Sequence, residues 1–253
     1  MPVVIFCGGR GTRLREETEF KPKPMVTIGG RPILWHIMKI YSAQGFHKFI
    51  LCLGYKGNSI KSYFLQHKLW ASDFRMRDGE VAERLTEYND NDFDIVFADT
   101  GEDTPTGERL KMVQKYIPED RFMVTYGDGV GNIDIQQLIA FHTQQKVQGT
   151  LTGVHPTSKY GLVSIDENQH ITSFQQKPQL HDYVNGGYML FERSFLQELR
   201  EGEMIEETFQ RLVDRQQLVL YKHDGFWHCM DTYKDYEDLN LMWNKGQPQW
   251  RIW

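Results

Sequence analysis

Cysteine is scarce in this chain, long apolar runs are missing, and neither sign of charge dominates. The 253 residues include three cysteines, Cys7, Cys52 and Cys229. Few, far apart and odd in number, they form neither a disulfide framework nor a zinc-ligand pattern, and they point to a reducing cytoplasm. No apolar stretch reaches the ~18 residues that a membrane helix needs. The short apolar run after Met1 lacks the basic flank of a signal peptide, so no membrane association is expected. Lysine and arginine number 29 against 34 acidic residues, a net charge of −5. Nucleic-acid binding needs a basic face and is not expected either. The nine histidines form no His-Glu-x-x-His pair and there is no Gly-x-Ser-x-Gly, so two common hydrolase sites drop out. What remains is a chain of ordinary globular composition, 40 % hydrophobic and 25 % charged, without repeats or low-complexity linkers.

The net charge conceals a local reversal. Residues 1–25 hold five basic side chains (Arg10, Arg13, Arg15, Lys21, Lys23) against three acidic ones. Residues 73–103 hold eleven acids against three arginines. The first 25 residues are therefore able to hold an anion.

The apolar pattern reads as α/β. Residues 2–7 form an unbroken apolar run ending in glycine, as a buried parallel strand does. A helical period over 33–43 follows, with Pro32 before it and Gly45 after it. A short strand at 49–53 and a helix at 58–67 complete a βαβα opening. Residues 68–93 are polar, acidic and without period, and read as an insertion. Strands are expected at 94–98 and 121–126, and helices at 107–117 and 133–145. Beyond 149 the strands are short and turn-bounded, at 150–155, 161–165, 171–175, 188–191 and 217–222, with closing helices at 203–216 and 233–245. The expectation is a single domain over 1–253, with a nucleotide-binding half to about 148 and a smaller, largely antiparallel substrate half from about 149.

The strongest local signal is the first strand followed by Gly8-Gly9-Arg10-Gly11-Thr12-Arg13-Leu14 and then Lys21-Pro22-Lys23-Pro24-Met25. Glycines let backbone N–H groups converge on one anion, while Arg13 and Lys23 can grip phosphate oxygens. No Gly-Lys-Ser/Thr closes the loop, so it is not a Walker A motif. Its third glycine is misplaced for a dinucleotide fingerprint. Asp128, in Tyr126-Gly127-Asp128-Gly129, follows a strand at its carboxyl end, where ligands of open α/β sheets gather. The residue pattern alone reads equally as a Mg²⁺ ligand and as a turn or helix-capping aspartate. Trp243, Trp250 and Trp253 read as packing or subunit-contact residues.

The Gly-Gly-Arg-Gly-Thr-Arg-Leu and Lys-Pro-Lys-Pro-Met stretches resemble the signature of the sugar-1-phosphate nucleotidylyltransferases. ILWHIMKIY, GYKG, TGEDTPTGERLK, YGDGV, NGGY and GFWHCMDT extend the resemblance over essentially the whole chain. They are most similar to the glucose-1-phosphate cytidylyltransferase branch. The resemblance implies a Rossmann-like, doubly wound, mostly parallel mixed sheet with a smaller antiparallel sugar-binding region. It implies transfer of CMP from CTP to glucose 1-phosphate, Mg²⁺ as cofactor, and a symmetric homo-oligomer, a hexamer or another assembly.

The same resemblance assigns residues. Arg13, Lys23 and Asp128 are the expected catalytic groups. Gly8, Gly9, Arg10, Gly11, Thr12, Arg13, Lys23, Thr104, Arg109 and Gly127 are expected at the nucleotide. Cytosine presents acceptors at O2 and N3, which a cationic donor such as Arg109 serves, whereas uracil's N3–H meets it badly. The bland reading of Arg109 is a helix-face arginine paired with Glu102 or Glu108. Uridylyl and thymidylyl relatives usually begin this loop with Gln-Pro, which is missing here. Asp128 and Asp231 are the expected metal ligands, with Asp235 a weaker candidate. Tyr160, Gly161, Gln176, Lys177, Asn185 and Gly186 are expected at the sugar phosphate. Relatives commonly carry Glu-Lys-Pro where this chain has Gln176-Lys177-Pro178, and an amide accepts from hydroxyls more weakly than a carboxylate. A different phosphate-bearing acceptor is therefore an alternative. So is a non-catalytic nucleotide-binding homologue, but its mark would be loss of Arg13, Lys23 or the acidic pair, and all are present.

Overall fold

The computed structural model describes residues 1–9, 11, 14–86 and 93–253; Arg10, Thr12, Arg13 and 87–92 lie outside the described residues. The chain opens with β1 (Val3–Phe6), a single-turn α1 (Arg15–Thr18), the small hairpin β2 (Thr27–Ile28) and β3 (Arg31–Pro32), and α2 (Ile33–Ser42). There follow β4 (Lys48–Leu53), α3 (Gly57–Trp70), the hairpin β5 (Phe74–Arg77) and β6 (Glu80–Arg84), β7 (Asp94–Asp99) and α4 (Thr106–Val113). Then come β8 (Arg121–Tyr126), β9 (Gly129–Gly131), α5 (Ile135–Gln145), β10 (Gly149–Val154), the hairpin β11 (Leu162–Ile165) and β12 (Ile171–Gln175), and β13 (Val184–Glu192). The chain closes with α6 (Ile205–Asp214), β14 (Leu218–His223), β15 (Trp227–Cys229) and α7 (Tyr233–Asn244).

Seven strands form one sheet in the order β14-β10-β13-β8-β1-β4-β7. All neighbours are parallel except β13, which runs antiparallel to both β8 and β10. The apolar continuity of β1 has a simple cause. Val3 and Ile5 pack into the cluster that includes α2, while Val4 and Phe6 pack into the one that includes α4 and α6. With both faces covered, every position of the strand must be apolar. β1 lies between β4 and β8, so the connections leave in opposite directions and open a crevice at the carboxyl ends of β1 and β8.

The mixed, mostly parallel sheet agrees with the expected architecture, but its second half is distributed differently. β10, β13 and β14 join the main sheet rather than a separate region, and of the expected antiparallel strands only β11–β12 stands apart. Threonines mislead here: Thr150 and Thr152 look polar in sequence yet are fully buried. The 68–93 insertion begins as the end of α3 and turns into the exposed β5–β6 hairpin. The helix expected to 117 ends at Val113, and a 3₁₀ turn over Gln114–Tyr116 follows.

The tryptophan-rich tail is packing. Trp250 is wholly buried beside His36 of α2, which is itself buried. Indole is only a donor, so the Trp250 Nε1–H donates to His36 Nδ1 at 3.3 Å, and His36 Nε2–H donates to the Ile28 carbonyl at 2.9 Å. Trp243 and Trp253 complete the ring cluster.

Candidate active site

Three strand ends, those of β1, β8 and β15, build the site. After β1, Cys7, Gly8 and Gly9 run on past the sheet edge, with the Cys7 N–H still donating to the Cys52 carbonyl. After β8, the Gly127 N–H donates to the Phe6 carbonyl at 3.1 Å, which sets Asp128 beside the glycine loop. A Cβ at Gly127 would lie 2.8 Å from that carbonyl, so only glycine allows the two strand ends to approach so closely.

Lys23 sits in a short 3₁₀ turn, Lys23–Met25, opposite Gly11, whose positive φ of 62° suits glycine. Its Nζ donates to Asp128 Oδ2 and to Asp231 Oδ1, both at 2.6 Å, across sequence separations of 105 and 208 residues. Burial alone would lower the lysine pKa. The Asp128 charge and the hydrogen bonds to both carboxylates outweigh it and raise Lys23 above its ordinary value.

Asp231 arrives through a short ladder. β15 pairs antiparallel with β9, Cys229 opposite Gly129, and the Met230 N–H donates to the Asp128 carbonyl at 2.8 Å. Asp235 does not join the carboxylate pair. Its Oδ2 accepts from the N–H groups of Asp231 and Thr232 and from the Thr232 hydroxyl, capping α7, and its Oδ1 faces His228 Nε2 at 3.3 Å. Burial opposes ionisation of Asp235, but the nearby His228 imidazole and the bonds from Thr232 prevail and hold its carboxyl well below the usual range. Burial, with the Asp128 charge, pushes the Cys229 thiol up.

A cavity of about 450 Å³ opens here, lined by Phe6, Gly9, Gly11, Lys23, Tyr126, Asp128 and Met204 among others. That volume is typical of a small-molecule site. A second cavity of about 460 Å³ lies on the other side of Asp231, where Lys177, Lys159, Cys229 and Lys234 contribute to the wall. Asp231 borders both.

Arg109 lies just behind the first cavity and is 4 % exposed. Its Nε donates to the Thr104 carbonyl at 2.7 Å, Nη1 to the Leu53 carbonyl at 3.1 Å and the Thr100 hydroxyl at 2.7 Å, and Nη2 to the Glu102 carbonyl at 2.9 Å. The bonded partners are therefore the end of β4, the backbone of the 100–104 loop and the Thr100 hydroxyl, and at Glu102 the acceptor is the carbonyl rather than the carboxylate. Burial lowers the Arg109 pKa from its ordinary value. Gly8 and Gly54 pack on this guanidinium, and a Cβ at Gly8 would lie 2.1 Å from Nη1.

Of the expected nucleotide residues, Gly9, Gly11, Lys23 and Gly127 line the first cavity, and Gly8, Thr104 and Arg109 stand outside its lining. Arg10, Thr12 and Arg13 lie outside the described residues. Of the expected sugar residues, Lys177 lines the second cavity, its φ of 48° in the left-handed region. Tyr160, Gly161, Gln176, Asn185 and Gly186 line neither. Asn185 Oδ1 accepts from the Gly187 N–H, and the Gly186 carbonyl accepts from Trp227 Nε1. Sequence reasoning missed Phe6, Thr106, Tyr126 and Met204 as cavity walls. The Tyr126 hydroxyl donates to the Glu206 carboxylate, which ties β8 to α6. Met204 carries no sequence signal at all; it reaches the site only because α6 begins against α4, where the Ile205 N–H donates to the Thr106 hydroxyl.

A glycine loop at the carboxyl end of a central parallel strand, with a lysine held by two aspartates beside it, defines a nucleotide-handling α/β protein. The chain belongs to the nucleotidyl transferase family, whose model matches residues 2–245. It is 38 % identical over the full length of both chains to a probable glucose-1-phosphate cytidylyltransferase of Bacillus subtilis. It is 40 % identical, again over both full lengths, to the glucose-1-phosphate cytidylyltransferase of Salmonella typhi. Among solved structures it is similar to a putative glucose-1-phosphate thymidylyltransferase from Bacillus anthracis, with a TM-score of 0.69, 18 % identity and coverage of 96 % of this chain and 94 % of the other. HddC from Yersinia pseudotuberculosis gives a TM-score of 0.67 at 23 % identity, covering 96 % and 99 %. These two likenesses establish the fold. No helix among the described residues is long and apolar enough to cross a membrane.

Proposed function

We propose that this chain transfers CMP from CTP to glucose 1-phosphate, giving CDP-glucose and pyrophosphate. The observation that carries the reading is the meeting of Lys23, Asp128 and Asp231 between two cavities, one large enough for a nucleotide's phosphates and one for an acceptor. The choice of cytosine and glucose rests on the full-length relatives named for that activity.

The acceptor's phosphate oxygen attacks the α-phosphorus of CTP in line, and the bond to the bridging oxygen of pyrophosphate breaks. No covalent enzyme intermediate is required, so catalysis is positioning and charge stabilisation. The N–H groups of the Gly8–Gly11 loop and Arg13 hold the β- and γ-phosphates and take up charge as pyrophosphate leaves. Lys23 bears on the α-phosphoryl oxygens. Lys177 orients the acceptor phosphate from the second cavity. Arg109 stiffens the 100–104 loop, and that loop and Thr104 present the groups that meet the base. Tyr160, Gly161, Gln176, Asn185 and Gly186 shape the sugar end.

Asp128 and Asp231 fit a hard divalent cation: one oxygen of each already lies 2.6 Å from a single positive charge. When bound there, Mg²⁺ supplies charge that offsets the repulsion between the two phosphates. We further infer a reducing cytoplasm, consistent with three unpaired cysteines, and a symmetric homo-oligomer. The exposed apolar side chains Leu162, Val163, Ile165, Ile171 and Phe174 of the β11–β12 hairpin support the oligomer.

The test is a matrix of nucleoside triphosphates against hexose 1-phosphates with Mg²⁺, with products separated by anion exchange. CDP-glucose and pyrophosphate in equal amounts are expected. Turnover with another nucleotide and none with CTP would overturn the base assignment. Gln176 favours a second reading, a different phosphate-bearing acceptor; turnover of CTP with that acceptor and none with glucose 1-phosphate would establish it.

A further inference from the structure

Cys229 has no part in the chemistry above, yet it faces it. Its Sγ, one carboxylate oxygen of Asp128 and one of Asp231 all lie within 4.8 Å of one another. Among the described residues, no other group of three or more His, Cys, Asp and Glu side chains offers atoms this close. The backbone explains the arrangement. Met230 is fully buried, and the Asp231 N–H donates back to the Cys229 carbonyl at 3.2 Å, so the chain turns tightly at 230 and leaves both 229 and 231 on the wall of the second cavity. The ladder bond from the Met230 N–H to the Asp128 carbonyl then brings Asp128 to the same place. A positive charge already sits here, the Lys23 ammonium, 2.6 Å from each carboxylate. Cys229 has no disulfide partner and borders the second cavity.

We propose that Asp128, Asp231 and Cys229 form a binding site for a thiophilic divalent cation of the Zn²⁺ type, which displaces the Lys23 ammonium and takes the sulfur as a third protein ligand. The inference rests on reading Asp128 and Asp231 as a cation-holding pair. Two oxygens and one sulfur leave one tetrahedral position for water or a phosphate oxygen. The thiol gives up its proton to solvent on coordination, one per cation bound. A hard cation such as Mg²⁺ or Mn²⁺ uses the oxygens and ignores the sulfur. The site thus has two occupants of different chemistry, and the softer one, held more firmly, excludes the harder.

The experiment uses the full chain without substrates. Co²⁺ is the optical probe, because a thiolate ligand adds an intense near-ultraviolet charge-transfer band that oxygen ligands do not. The band is expected in the unsubstituted protein and absent in Cys229→Ser, which keeps Cys7 and Cys52. Zn²⁺ affinity, measured by competition with a chromophoric chelator, is expected to fall at least tenfold in Cys229→Ser and in Cys229→Ala. Mn²⁺ affinity, measured by electron paramagnetic resonance, is expected to stay within twofold in both. Lack of the band in the unsubstituted protein overturns the proposal without any variant, as does an unchanged Zn²⁺ affinity. Mn²⁺ binding that is lost in Asp128→Asn but kept in Cys229→Ser upholds the carboxylate pair whatever the thiol does. Failure of Mn²⁺ to bind the unsubstituted protein removes the carboxylate reading and this inference with it.

Discussion

At Lys23 one ammonium bonds two carboxylates, one from the middle of the chain and one from near its C-terminal end, and each partner constrains the other two. Replacing Lys23 by Met removes the ammonium that bonds both Asp128 and Asp231. Replacing Asp128 by Asn removes one charge and one acceptor. Either substitution is expected to lower kcat by about 10²–10³ while circular dichroism remains native; near-normal pyrophosphate release from folded variants would remove these residues from the mechanism. Arg109 illustrates a second kind of residue. The loop motif draws attention to it, but its bonds are not legible, since backbone carbonyls at 53, 102 and 104 leave no trace in sequence. Arg109→Lys cannot make four such bonds from one ammonium. The expected result is a CTP KM raised tenfold or more with discrimination against UTP reduced. A variant that only melts earlier, with its base preference intact, would confine Arg109 to stability.

Among the elements, the glycine loop and the β9–β15 ladder decide the site. Gly8 and Gly54 leave room for the Arg109 guanidinium, and a methyl group at Gly8 would overlap it. Gly8→Ala should therefore disturb the loop from beneath and weaken CTP binding at least tenfold, measured by calorimetry, with little change in secondary structure. Unaltered CTP affinity would mean the guanidinium can yield. The long strands and helices were legible because their apolar period runs over four or more residues. β9 and β15 were not, because three-residue strands, one of them Gly-Val-Gly, carry no period to detect. Yet this ladder delivers Asp231 and Cys229 to Asp128.

Over the whole molecule, the C-terminal tail is fastened through His36. Burial foremost, opposed by the bond to the Ile28 carbonyl and aided by the Arg31 and Arg251 charges, lowers its pKa to about 4 from 6.5. The folded state thus holds His36 neutral where the unfolded chain binds a proton. The contribution is complete above pH 6.5 and is lost as pH falls from 6.5 toward 4, by about 3 kcal/mol in all. Thermal melting from pH 7 to 4 should show this slope, and His36→Gln should flatten it; parallel curves would assign the acid sensitivity to other groups. Trp250→Ala, which opens a cavity beside His36, is expected to cost about 3–5 kcal/mol by chemical denaturation. The β11–β12 hairpin leads to an expectation for assembly: light scattering should give a multiple of the 29.8 kDa chain mass, and Ile165→Glu with Phe174→Glu should reduce it. A monomer in the unsubstituted protein would refute the expected assembly.

The amino-acid sequence alone determined the α/β class and the glycine loop after β1 and drew attention to Lys23 and Asp128, while Asp231 stood out only through the family resemblance. These depend on local pattern: continuous apolar runs for strands covered on both faces, glycines where backbone must come close, and charged residues next to strand ends. Only the tertiary structure decided that β10, β13 and β14 extend the main sheet, that Asp235 caps a helix instead of joining the carboxylates, and that Cys229 shares their space. Those outcomes depend on which strand ends meet across more than a hundred residues, and that choice is made by burial and hydrogen bonding in the assembled core rather than by any one segment.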